Sequence, residues 1–270
     1  MTFRFDVATR VTANSGGAYS ARVHDGWDIG GNANGGYLLA LVSAAMCHAT
    51  GRSLPVAISC HYLGPINDAD VVIDTRVVKS GKTFATAQAT MRQGDRVIVT
   101  ALGTCGEALP SGEMQHVAQN MPELPDFASA VPRAETNANA NPNALPPGLM
   151  QNVDVRLHPD DTGFARGTPN GQALVRGWCA FRDERPVDAL ALTLFCDALP
   201  PAMFNIAGPP GWVPTVQLSF YLRGIPDGRP VAAEFRTRQL RDGMFEEDGT
   251  MWNASGELVA QSRQLALLPR

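Results

Sequence analysis

An acid stands in this chain of 270 residues where an acid is costly. Asp197 is the only acidic residue in the largely apolar run Ala189 to Leu199. An unpaired carboxylate in such surroundings costs several kcal/mol even after relaxation. Polar partners, such as a hydroxyl and an amide, would offset that cost and could aim a water molecule at the same carboxylate. Low-dielectric surroundings would raise its pKa towards that of a useful base. A second reading also fits: Asp197 lies near Pro200, and a residue at a helix end can face water. Asn34-Gly35-Gly36 offers different chemistry. A helix starting there has unpaired N–H groups, and glycine permits close approach, so the segment fits either oxyanion binding or tight packing. Cys60-His61 has the residue types of a nucleophile and a base. Adjacent residues on a strand point to opposite faces, however, so a core role fits better.

These residues need elements to hold them. Tyr37 to Cys47 is apolar nearly all round, which predicts a helix buried on most sides. Four strand-like runs follow, at 56–63, 71–78, 83–91 and 96–102, separated by Gly64-Pro65, Ser80-Gly81 and Gln93-Gly94-Asp95. β-rich runs at this spacing predict an antiparallel meander. The second half repeats the pattern. A strand is expected at 173–181 and a second apolar helix at 188–199. Asp188 is placed to cap that helix and Pro200-Pro201 to stop it. Four more strands are expected at 216–222, 231–240, 244–253 and 258–267. Alternation places Ala260, Ser262, Gln264 and Ala266 on one face, whereas Thr215 falls out of phase with Val216, Leu218, Phe220 and Leu222, unless it precedes the regular strand, where alternation does not bind it. A sheet curled around a buried helix satisfies both patterns, so the expected class is α+β, with two antiparallel sheets each wrapped around a central apolar helix.

An internal repeat supports two units. Thr75-Arg76 reads like Thr237-Arg238 and Gly94-Asp95 like Gly256-Glu257, both at an offset of 162 (237 − 75); His61-Tyr62-Leu63 reads like Phe220-Tyr221-Leu222 at 159 (220 − 61). The change of offset predicts a longer connection at Gly224 to Gly228. Glu135 to Gly148, rich in Asn, Pro and Gly, has no period and reads as linker. The expected domains are 1–120, a linker at 121–149, and 150–270 carrying the chemistry.

Composition narrows the function classes. Net charge is −4 with no basic tract, which argues against a nucleic-acid partner. Met1 to Asp6 has no apolar signal segment, and Tyr37 to Cys47 is too short to span a bilayer. The five cysteines and five histidines are scattered, without CxxC or HExxH spacing. The expectation is a cytoplasmic protein with no metal, no cofactor and no membrane association.

Both halves carry motifs of a known family. The sequence resembles the acyl-CoA thioesterase II family and its thioesterase-like relatives. The resemblance rests on Asn34 to Ala40, Leu194 to Asp197, Thr215 to Phe220 and Gly256 to Gln264. It implies a double hotdog fold, an acyl-CoA substrate, and an Asp, a Thr and a Gln that hold the attacking water. These fall on Asp197, Thr215 and Gln264, with Asn34, Gly35 and Gly36 on the substrate side. Thioester hydrolysis needs an oriented water, a base and oxyanion donors rather than covalent help. A homodimer of double hotdogs is the expected assembly. A hotdog hydratase fits poorly, because hydratases of this fold place a His five residues after the acid and position 202 is Ala202. A non-catalytic acyl-CoA or acyl-carrier binding protein remains as a rival. The phosphates of coenzyme A could meet a basic turn at Lys79 and Lys82, or at Arg236, Arg238 and Arg241, although a solvated hairpin tip accounts for these residues better.

Overall fold

The computed structural model describes residues 2–109, 111, 112, 114, 116–140 and 147–269, with backbone only for 137–140. A short helix α1 (Arg4–Ala8) precedes strands β1 (Thr12–Ala13), β2 (Ala18–Val23), β3 (Asp28–Ile29) and β4 (Asn32–Ala33). Helix α2 (Gly35–Thr50) then leads into β5 (Leu54–Tyr62), β6 (Ala69–Ser80), β7 (Phe84–Gln93) and β8 (Arg96–Gly106). The second half comprises β9 (Val131–Pro132), α3 (Arg133–Ala140), β10 (Val153–Leu157), β11 (Leu174–Phe181), α4 (Ala189–Phe195) and α5 (Phe204–Ala207). It ends with β12 (Thr215–Leu222), β13 (Val231–Arg236), β14 (Leu240–Arg241), β15 (Met244–Trp252) and β16 (Leu258–Leu267).

The two sheets expected from sequence are one. Among the described residues, fourteen strands form a continuous antiparallel sheet in the order β1-β2-β6-β7-β8-β5-β12-β16-β15-β13-β11-β10-β9, with β14 also on β15. The halves meet where β5 pairs with β12, Ser59 lying opposite Ser219. Each of these strands would otherwise present an unpaired edge, which the seam removes. Gln217 Nε2 donates to Ser59 Oγ across it at 2.9 Å.

Helix α2 is buried along most of its length and packs on β5, β6, β7 and β8. Asn34 caps it, accepting from the Tyr37 N–H at 3.0 Å. The second helix is shorter than expected. Asp188 caps it as anticipated, accepting from Ala191 N–H at 2.8 Å, but α4 stops at Phe195 and turns carry the chain to Pro200. Its main neighbour is α2, and it reaches β5 and β12. Gly36 permits this approach, because a Cβ there would overlap the Leu194 carbonyl.

Two readings of the repeat change. Met91 lies opposite Val99 and Ile73, whereas Met251 lies opposite Ala260 and Ala233. The structural offset is therefore 160 (251 − 91, 233 − 73), becoming 161 (260 − 99) in the last strand. The matches at 159 and 162 are out of register by one or two residues. A one-residue slip exchanges the two faces of a strand: Tyr62 lines a cavity while Tyr221 is 46% exposed. The insertion falls in the β15–β16 turn, not at Gly224 to Gly228. The expected linker also differs. Residues 135–140 continue helix α3, and 141–146 lie outside the described residues. Before it, the chain straps the outer sheet face: Met121, Leu124 and Phe127 pack on Trp178 and Trp252, and Trp178 Nε1 donates to the Pro125 carbonyl at 2.9 Å.

Candidate active site

Asp197 stands just beyond α4, against the start of α2. Its Oδ2 accepts from Asn34 Nδ2 at 3.0 Å and from the Gly36 N–H at 3.1 Å, and Asn34 Nδ2 also donates to its carbonyl at 2.7 Å. A Cβ on Gly35 would stand 2.9 Å from the same oxygen. The carboxylate lies deep in the protein yet opens to a cavity. Burial pushes its pKa up to about 6, against the pull of the Gly36, Gly35 and Asn34 donors. All these partners are neutral, so the helix N-terminus steadies the charge without an ion pair. The Gly36 N–H, offered by the sequence as an oxyanion donor, is thus engaged by Asp197.

Thr215 and Gln264 meet across β12 and β16. Thr215 Oγ1 donates to Gln264 Oε1 at 2.9 Å. Alternation had put Thr215 on the wrong face. A bulge between Thr215 and Gln217 absorbs Val216 and sets Thr215 opposite Ala266, which returns Thr215 to the inner face shared with Leu218 and Gln264. Ala260, Ser262, Gln264 and Ala266 are all buried, as their spacing predicted. Gln264 has a further partner that the sequence reading missed. Glu247, only 2% exposed, lies directly opposite it on β15 and accepts from Gln264 Nε2 at 2.8 Å. Its other oxygen accepts from the Ala202 N–H at 2.6 Å. The available signal was its phase, because Glu247 alternates with the buried Phe245 and Met251.

Asp197, Thr215 and Gln264 line one cavity of about 640 Å³, together with Asn34, Gly35 and Tyr62. Its other walls are largely apolar and include Leu38, Ile66, Met150, Phe164, Phe204 and Phe245. Tyr62 Oη donates to the Gly35 carbonyl at 2.8 Å, tying β5 to the start of α2. Asp197 has no direct hydrogen bond to Thr215 or Gln264 among the described residues; they share the cavity, not a contact.

Residues 23–106 match the model of the acyl-CoA thioesterase N-terminal domain, and residues 125–268 match that of the C-terminal domain. The chain belongs to the acyl-CoA thioesterase family. It is similar over its whole length to a proposed thioesterase II of Thermobifida fusca, with 31% identity, 98% of that chain covered and a TM-score of 0.87. A hotdog-fold protein of unknown function from Alicyclobacillus acidocaldarius superposes with a TM-score of 0.84 at 23% identity, covering 100% of this chain and 99% of the other, and shows the fold alone. An uncharacterised protein of Mycobacterium tuberculosis is 28% identical over 93% of this chain and 91% of its own.

Other residues singled out by sequence lie elsewhere. Cys60 is buried and His61 exposed, so the strand separates them as expected. Arg238 pairs with Asp248, Arg236 with Glu234 at 3.3 Å and Arg241 with Asp242 at 3.5 Å. None of the five basic turn residues lines the cavity; the guanidinium at its wall is Arg133, stacked over Phe164. No described helix is long and apolar enough to cross a membrane.

Proposed function

We propose that this member of the thioesterase family hydrolyses an acyl-CoA thioester to a free acid and coenzyme A. The observation that carries the reading is Asp197: a carboxylate without a cationic partner among the described residues, held by neutral donors at the wall of an apolar cavity that it shares with the Thr215–Gln264 pair. In this reading Asp197 takes a proton from water as the water attacks the thioester carbonyl. Thr215 and Gln264 orient that water, and Gln264 keeps one amide hydrogen for it after bonding Glu247. The tetrahedral intermediate then expels the thiolate of coenzyme A, which receives the proton from Asp197. The acyl chain occupies the apolar part of the cavity. Asn34 and Gly35 shape its polar end, while Gly36 supports Asp197. A base with a pKa of about 6 is ionised at neutral pH, so Asp197 contributes a limb of kcat/KM that rises with pH through that value.

Release of free thiol from a panel of acyl-CoA esters tests the reading, with wild type beside Asp197→Asn. Hydrolysis that falls about a hundredfold or more in the variant supports both the activity and the base. Activity that survives the substitution removes Asp197 from the mechanism. A folded wild type that binds these esters without cleaving any favours the acyl-binding alternative.

A further inference from the structure

Glu247 has no place in the mechanism above, yet it is held as tightly as any residue in it. It is 2% exposed, both carboxylate oxygens are bonded, and it faces Gln264 from the neighbouring strand. It does not itself line the cavity. A primary amide has an acceptor at one end and donors at the other, so holding one end decides the other. An ionised carboxylate can only accept. It therefore holds the NH₂ end of Gln264, which leaves Gln264 Oε1 for Thr215. The Thr215 hydroxyl must then donate inwards, as found, and what it offers the cavity is lone pairs. A protonated Glu247 would carry a donor of its own. The amide could then turn by half, its NH₂ end would donate to Thr215 Oγ1, and the Thr215 proton would be released towards the cavity.

We propose that Glu247 is a positioning residue whose protonation sets which way the Gln264 amide faces, and through it whether Thr215 accepts or donates towards the reacting water. This rests on the reading of Thr215 and Gln264 given above. The two arrangements share nearly the same heavy-atom positions and differ by one proton and one amide rotation. The charges that bear on Glu247 are both negative, Asp197 beyond α4 and Glu246 on its own strand, and they add to the effect of burial; the Ala202 N–H and the Gln264 amide oppose it. The outcome is a pKa pushed up to about 7, so both arrangements are populated near neutrality.

The test follows the Gln264 side-chain amide by NMR as pH is taken across neutrality, in wild type and in Glu247→Gln. Gln264→Ala supplies the assignment. The expected result is an amide signal that titrates in wild type and stands still in the variant. In thiol-release kinetics, Glu247→Gln lowers kcat about tenfold with KM changed less than about twofold, and the limb of the pH profile near neutrality disappears. In a Thr215→Val background the same substitution adds little, because both act through one network. A wild-type amide signal indifferent to pH would overturn the proposal. So would a Glu247→Gln enzyme with unchanged kcat and pH profile, or independent effects in the double variant. The amide titration needs no substrate. A protein that cleaves no ester would therefore defeat the proposed activity while the NMR result still decides the role of Glu247.

Discussion

The two halves of the sheet place different side chains at equivalent points. Strand pairing matches Thr215 with Pro55, Gln264 with Gly103 and Glu247 with Ala87, and counting from the helix caps Asn34 and Asp188 matches Asp197 with Ser43. Thr215, Gln264 and Glu247 thus have small or apolar counterparts, and Asp197 has the small polar Ser43. A Cβ at Gly103 would meet Ile58 at 2.8 Å and the Met46 sulfur at 3.2 Å, so packed side chains occupy the room that Gln264 takes in the other half. Ser43 itself is fully buried, and its hydroxyl has no partner among the described residues. One scaffold, used twice, carries the proposed chemistry in one half and close packing in the other. The packed half still contributes: its helix start, Asn34 to Gly36, holds the carboxylate of its neighbour.

Substitutions at matched positions can break this comparison. The largest difference is expected at Asp197 and Ser43. Asp197→Asn should lower kcat about a hundredfold or more, whereas Ser43→Ala should leave it unchanged in the same thiol-release assay. A loss of activity in Ser43→Ala would mean that the packed half takes part in the chemistry. Gly36→Ala tests the contact between the halves. With the Leu194 carbonyl in the way, the overpacking should cost about 1–3 kcal/mol in denaturant unfolding, and a variant as stable as wild type would show that α4 is free to move.

Stability against pH separates the halves further. Burial raises the Asp197 pKa, so between about 4 and 6 the folded state binds more protons than the unfolded chain. Stability is then highest below that window and falls as pH rises through it. Asp197→Asn removes the penalty, and at mildly alkaline pH it should match or exceed wild type by up to about 1–2 kcal/mol. A variant clearly less stable there would show that the carboxylate is structural. The smallest effect is on stability at Ser43. Removing a buried hydroxyl without a partner should be neutral, or stabilising by less than about 1 kcal/mol.

Much of this arrangement was legible from local pattern. The apolar run at Tyr37 to Cys47, the cap at Asp188 and the inner face of β16 all follow from period and composition, and each appears in the structure. What escaped depends on pairing between distant strands. The bulge at Val216 moves Thr215 to the inner face, and no propensity marks it. The seam between β5 and β12 turns two expected sheets into one, and nothing within either strand announces its partner. Glu247 was hidden in the acidic run Glu246-Glu247-Asp248, where only the phase set by Phe245 and Met251 distinguishes the residue that points inwards. The short N-terminal strands and α3 lack the length or apolar period that would have revealed them.

The seam also bears on how the chain reaches this state. Strands β6, β7 and β8 follow one another through tight turns, whereas β5 and β12 meet through residues 158 positions apart, as Gln217 and Ser59 show. Closing so long a loop costs entropy before any seam contact rewards it. Each half is therefore expected to assemble its own hairpins first and to join the other late. Until then both seam strands are open edges of matching shape, and β5 of one molecule can be met by β12 of another. At high concentration the route that completes the monomer competes with one that exchanges halves between chains.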